Sequence, residues 1–313
     1  MSRKTSFKEQ MFRVLNSKNS FGQSKYLAKQ ESYRNGSKGK VDGIYSKKTM
    51  SDYKAVAEQF NTWQKDKGYN FHSISGVNQS VIVEYLTQRQ NNGYSAWTIS
   101  RDQSALNKIF NMSITKKECG LASRHSADIR NNRGLANNYR TSVNEKNKNI
   151  IDLICATGIR RQSITKVTPN DFIRNTDNVT VGIKVTEKGG KTRCAYIRQE
   201  YQEKVTAFID NHYNNKGNTP LFTSVSKNLN THWYRAEYAN GLYNDLLNAK
   251  NNGTDYFNGY RDIFVNASKL DTVTSGKNET TKGYDTECLC MTSMCLGHNR
   301  VDVVYTNYLV RFS

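Results

Sequence analysis

The stretch Val179–Arg198, VTVGIKVTEKGGKTRCAYIR, decides how this chain is read. Val179, Val181, Ile183 and Val185 recur with the two-residue period of a strand that buries one face. The run EKGGK interrupts it with two glycines that permit a tight turn, and TRCAYI then returns as a second strand. The stretch predicts a β-hairpin with Lys188 and Lys191 at its tip. The patterns around it are helical. Upstream, Ile150, Ile151, Leu153 and Ile154 build a helix that stops at Gly158. Downstream, Val205, Phe208 and Ile209 mark a helix near 200–211, residues 221–248 look helical, and helical character resumes over 286–296. The polar segment 251–283 reads as an insertion holding one short helix. The C-terminal half is therefore expected to be mainly α with a small antiparallel β-sheet.

The N-terminal half shows helices alone. TMSD can form a capping box from Thr49 to Asp52, followed by Tyr53, Val56, Phe60 and Trp63 at helical spacing and by Gly68. A second helix runs near 79–91, with Val81, Ile82, Tyr85 and Leu86 inward. A third starts at Ser95 and carries Ile99, Leu106, Ile109 and Phe110. Tyr94 and Trp97 are read as core or cap. Residues 1–45 are basic, with a modest helical pattern around Phe12 and Leu15, and fit either a mobile arm or an extra DNA-contacting element. The segment SRHSADIRNNRGLANNYR holds four arginines against one acid and has weak apolar periodicity. It suggests a basic linker over 116–140, between a helical domain at 46–115 and a second domain at 141–313.

The chain has 313 residues, 46 Lys plus Arg against 27 Asp plus Glu, and a formal net charge of +19. Natural solubilising surfaces mix both signs, so this excess points to a polyanion partner. No run approaches the roughly 20 apolar residues of a membrane span. The first residues lack the apolar region of a secretory signal, so a cytoplasmic, nucleoid-associated protein is expected. The six cysteines fit free cytosolic thiols. The group Cys288, Cys290, Cys295 and His298 starts with a C-x-C spacing and lacks a second knuckle, which argues against zinc. No cofactor and no metal are expected.

Four stretches carry candidate chemistry: TGIRRQS (157–163), the hairpin with its lysines, THWYRAEYA (231–239), and LGHNRVDVVYTNYLV (296–310). His232 and Arg235 are three apart and so share a helix face. Taken singly, each stretch has an ordinary structural explanation. Arg160 would serve as a capping or ion-pair residue, the tip lysines would face solvent, and His232 would be a satisfied surface histidine. Trp233, Tyr234 and Tyr238 read as helix core.

In this order the four stretches resemble the tyrosine recombinase (phage integrase) family. In that family the arginine of a T-G-[LI]-R box, a hairpin lysine, an H-x-x-R box, an L-G-H box and a C-terminal tyrosine form one site. SKKTMSDYKAVAEQF (46–60) and GYSAWTISRDQSALNKIF (93–110) likewise resemble the SAM-like core-binding domain of mobile-element integrases. The resemblance implies a C-terminal tyrosine-recombinase catalytic domain behind a helical SAM-like domain. It assigns Arg160 and Arg235 to a phosphate clamp, Lys188 to general acid, His232 to proton transfer, His298 to phosphate binding and Tyr308 to the nucleophile. Arginine forks match the non-bridging phosphate oxygens and stabilise the charge that grows on them. A phenolic oxygen attacks in line, and an ammonium protonates the leaving oxygen.

The family further implies double-stranded DNA recombination sites, a homo-tetramer acting through a Holliday junction, a monomer or weak oligomer when free, and accessory DNA-bending or directionality proteins, with no membrane. The chain departs from the pattern in places. Ser163 stands where an acid often follows the first arginine, and Ala236 where many members carry histidine. Tyr305 lies seven and Tyr308 ten after His298, on either side of the usual interval. The Tyr308-Leu309 pair favours Tyr308. Two other readings stay open: a DNA-binding module that has lost catalysis, and a type IB topoisomerase or telomere resolvase.

Overall fold

The computed structural model describes residues 5–37, 39–124, 145–187, 190–213, 217–274, 280–298 and 300–309. The chain divides into two compact units, Met1–Arg130 and Asn131–Ser313. The basic segment expected to link two domains lies mostly outside the described residues, Arg130, Arg133 and Arg140 included.

The first unit is all helical: α1 Phe7–Ser17, α2 Lys25–Arg34, α3 Lys47–Asp66, α4 Gln79–Asn91 and α5 Ala96–Ile109. Each starts on a residue whose side chain accepts a hydrogen bond from an otherwise orphaned backbone N–H: Ser6, Ser24, Ser46, Asn78 and Ser95. The cap of α3 is Ser46, three residues before the expected Thr49, which instead donates its N–H to Ser46. Helix α1 is integral to this unit. Phe7, Met11 and Leu15 are buried with Phe60, Tyr85, Leu86 and Leu106. A mobile arm would leave them in water, at a cost of roughly 1.5–3 kcal/mol for each large apolar side chain. Helix α2, by contrast, buries no residue. Tyr94 and Trp97 are neither core nor cap. They are 47% and 37% exposed, with the guanidinium of Arg89 over Tyr94 and that of Arg124 over Trp97.

The second unit contains α6 Lys148–Thr157, which ends on Gly158 in the left-handed conformation, and α7 Arg161–Ile164. The antiparallel sheet follows, ordered β1 Phe172–Arg174, β2 Thr180–Thr186 and β3 Thr192–Tyr196. The expected hairpin is β2–β3, with Thr186 opposite Thr192 and Val185 opposite Arg193. Lys188 lies outside the described residues. Strand β2 alternates only in its second half. Val181, Ile183 and Val185 are buried, but so are Thr180 and Gly182. There the sheet is covered on both faces, with Thr206 accepting from the Thr180 N–H and Phe264 packed against Gly182.

The remaining elements are α8 Gln199–Tyr213, α9 Thr231–Asn251, α10 Arg261–Phe264, α11 Ala267–Thr274, the ribbon β4 Thr280–Thr281 and β5 Tyr284–Asp285, α12 Thr286–Cys295 and α13 Asp302–Asn307. Two expectations need correction. Residues 221–230 are irregular although Leu221 and Leu229 are buried, and the helix starts only at Asn230, whose side chain caps it. The expected insertion at 251–283 contains two short helices, and its Phe257, Phe264, Val265 and Leu270 belong to the core. Tyr234 and Tyr238 are buried and Trp233 is half-buried. All six cysteines are free thiols, and no group of metal-ligating side chains occurs among the described residues. No helix among them is long and apolar enough to cross a membrane.

Candidate active site

Gly158 is where the site starts. Its φ of +60° ends α6 and turns the chain, so that Arg160 becomes the residue that opens α7. No side chain fits there, because a Cβ would stand 2.4 Å from Cδ1 of Tyr238. The freed carbonyl of Gly158 accepts from two buried guanidinia, Arg193 on β3 and Arg235 on α9. These two also bind the end of α12: Arg193 donates to the carbonyl of Cys295, and Arg235 to that of Leu296 at 2.6 Å. These carbonyls lie at helix ends, where the partial negative charge of the backbone concentrates, while Nε of Arg193 is buried without a hydrogen-bond partner among the described residues. The other arginine of the first box, Arg161, donates to Ser226 at 2.8 Å and to Leu229, pinning the irregular segment before α9.

Arg235 is 1% exposed, and its Nε–H donates to the hydroxyl of Tyr308 at 3.2 Å. Tyr308, 8% exposed, closes α13, and its hydroxyl also lies 3.2 Å from Nε2 of His298. Gly297 sets that histidine: at φ +72° it reverses the chain after α12, and the His298 N–H donates to the Ser293 carbonyl at 2.8 Å. Burial, then the charges of Arg235, Arg160, Arg193 and Lys191, push the His298 imidazole down to about 3, so it is neutral at neutral pH. Tyr305 goes elsewhere. Its ring stacks on Tyr284 at 6.3 Å, under the ammonium of Lys282.

Arg160 pairs with a carboxylate that no motif pointed to, Glu187, which follows β2. Glu187 is buried and also lies 3.2 Å from Arg193 and 3.8 Å from Arg235. Burial and the neighbouring Arg235 and Arg193 push Arg160 down to about 10, which leaves it charged at neutral pH. Beside it opens a cavity of about 210 Å³, lined by Arg160, Glu187, Lys191, Arg193 and Gly297. Lys191 donates to the Gly297 carbonyl at 3.2 Å, and Lys269 on α11 to that of His298 at 3.1 Å. Burial lowers both ammonium groups below the usual lysine range. A larger cavity of about 420 Å³ is bordered by Lys250, Arg261 and Glu287, whose charges pair with one another, and by no candidate catalytic residue.

The fold thus brings Arg160, Arg235, His298 and Tyr308 together. His232 opens α9 one turn before Arg235 with its side chain exposed, so the two do not share a buried face. Glu187, Arg193 and Lys269 were not anticipated. For Arg193 a signal existed: the hairpin register puts it opposite Val185, a charged residue at an inward strand position.

Residues 40–117 match the family described as phage integrase, N-terminal SAM-like domain. No curated protein matches the chain. Among solved structures, the XerH site-specific recombinase bound to palindromic difH substrate, in a post-cleavage complex, aligns over 100% of this chain and 95% of its own, with a TM-score of 0.50 at 14% identity. The XerH pre-cleavage complex aligns over 99% and 96%, with a TM-score of 0.49 at 15% identity. The Tn1549 transposon integrase in complex with transposon right end DNA aligns over 91% and 95%, with a TM-score of 0.38 at 14% identity. The chain therefore has a fold similar to that of the XerH recombinase, and residues 40–117 of its N-terminal unit match the phage-integrase SAM-like domain.

Proposed function

We propose that this chain is a site-specific DNA recombinase that cuts and rejoins strands through a covalent 3′-phosphotyrosine and a Holliday junction, serving a mobile element. The observation that carries the reading is the Tyr308 hydroxyl held by both Arg235 and His298, with Arg160, Lys191 and Arg193 lining a cavity that reaches Gly297, the residue before His298. That geometry supports Tyr308 as the nucleophile over Tyr305.

In this reading the scissile phosphate enters beside Arg160 and comes against Arg235 as the Tyr308–Arg235 contact gives way. The phenolic oxygen attacks phosphorus, the 5′-oxygen leaves, and the two guanidinia neutralise the charge on the non-bridging oxygens. His298 touches the nucleophile and is neutral, so it is placed to bind the phosphate and accept the phenolic proton. An arriving phosphate offsets the surrounding positive charge and makes the imidazole more basic. His232, the sequence-derived candidate for proton transfer, would serve only if DNA binding brought the start of α9 inward. The leaving oxygen takes its proton from a hairpin lysine, Lys188 by motif position, with Lys191 bordering the cavity. The net charge of +19 fits a duplex partner held mainly through its phosphates.

The test is a pool of nicked duplexes with randomised sequence, so that a cleaved strand cannot be resealed. Wild type is expected to form protein–DNA adducts that survive denaturation, and sequencing the trapped strands reads out the site. A folded, DNA-binding protein that yields no adduct would favour a binding module without catalysis. Relaxation of supercoiled plasmid at arbitrary sequence would favour the topoisomerase reading.

A further inference from the structure

Resting on the recombinase reading, we infer that Glu187 is a positioning residue: its buried carboxylate aligns the phosphate-binding guanidinia and supplies the counter-charge that the Ser163 position lacks. Its carboxylate pairs with Arg160 on one side, with Arg193 at 3.2 Å and with Arg235 at 3.8 Å on the other. These three cations come from three different places, the residue before α7, strand β3 and helix α9. Like charges this close repel, and two of the three are almost wholly buried. One anion at their centre lets them stand together and fixes the fork of Arg160, which is the guanidinium of the three with the most solvent access.

The same carboxylate is itself held. The Glu187 N–H donates to the Lys191 carbonyl at 2.9 Å, and its carbonyl accepts from Gly190 at 3.0 Å, so two backbone hydrogen bonds fix the residue where the hairpin leaves β2. Charge counting argues that it stays when a phosphate arrives. Arg160, Arg193, Arg235 and Lys269 outnumber it, so a diester anion can bind without expelling the carboxylate. Glu187 borders the cavity beside Arg160 and so shapes the wall of the anion seat as well as its charge. In one residue the hairpin does for Arg160 what an acid one turn further along α7 would do.

The experiment uses a nicked duplex that the wild-type chain traps, and compares wild type with Glu187→Gln and Glu187→Asp. Adduct formation is timed at saturating DNA, and duplex affinity is measured separately. Misaligned clamps are expected to slow the Gln variant about 10²-fold at saturation. Its affinity should stay within about threefold, because most phosphate contacts lie outside the site. The Asp variant, which keeps the charge, should recover part of the rate. Overturning results are a Gln variant as fast as wild type, a faster one (the carboxylate would then compete with phosphate), an affinity that falls in step with the rate, or an Asp variant no faster than Gln. Absence of adduct in wild type would instead count against the recombinase reading itself and remove the basis of this one.

Discussion

Tyr308 accepts a hydrogen bond from Nε of Arg235 at 3.2 Å, and the guanidinium carbon lies 5.8 Å from the centre of the same ring. The tyrosine that would attack a phosphate therefore covers the arginine that would bind it. Nη1 and Nη2 of Arg235 donate to the carbonyls of Gly158 and Leu296. The contact to Tyr308 is the one that can yield without dismantling the ends of α6 and α12. The phenol follows a short helix of six residues, Asp302–Asn307, close to the end of the described chain.

His298 makes the site sensitive to acid. Its folded value is about 3 against 6.5 for an ordinary histidine, so in this window the unfolded chain binds the extra proton. Its contribution to stability is fully present above about pH 6.5 and is lost as pH falls toward the folded value. Replacing it by Gln keeps a polar group near Tyr308 and removes the titration. Urea unfolding of wild type should weaken faster between about pH 7 and 5 than that of His298→Gln, by at most about 1.4 kcal/mol per pH unit. Parallel curves would show that the imidazole is not held neutral.

The two hairpin lysines separate by leaving-group chemistry. A substrate whose 5′-bridging oxygen is replaced by sulfur departs as a thiolate and needs no proton. Lys188→Ala is expected to cleave the oxygen substrate at least about 10²-fold more slowly than wild type and the sulfur substrate nearly as fast. Lys191→Ala should show a smaller defect, shared by both substrates. The opposite pattern would move the general acid to Lys191.

Gly158 holds the chain where two arginines meet. Gly158→Ala adds a side chain at φ +60° and drives it into Tyr238, whereas Gly283→Ala meets the same backbone strain, at φ +83°, in open space. Both should lower stability by about 1–3 kcal/mol for the backbone term. Gly158→Ala should lose more than Gly283→Ala and should also slow adduct formation. Denaturant midpoints of the two variants make the comparison.

The hairpin was legible because Val181, Ile183 and Val185 alternate and two glycines sit between strands. Helices α3 to α5 were legible because apolar residues recur every three or four positions. The start of α3 was missed by three residues because two hydroxyls, Ser46 and Thr49, could each cap it, and only the backbone angles choose. Leu221 and Leu229 suggested a helix because burial alone looks the same in a packed loop. In the site, Arg160, Arg235 and His298 lie in recognisable boxes. Glu187 was invisible because its partners lie before α7, on β3 and on α9, and no local spacing encodes a contact made across three separate places in the chain.

Covalent trapping tests the central claim most directly. Wild type, Tyr308→Phe and Tyr305→Phe are each incubated with a nicked duplex pool and resolved under denaturing conditions. Wild type and Tyr305→Phe should carry DNA, and Tyr308→Phe should carry none while binding duplex as tightly as wild type. Adduct in Tyr308→Phe, or its loss in Tyr305→Phe alone, would contradict the account.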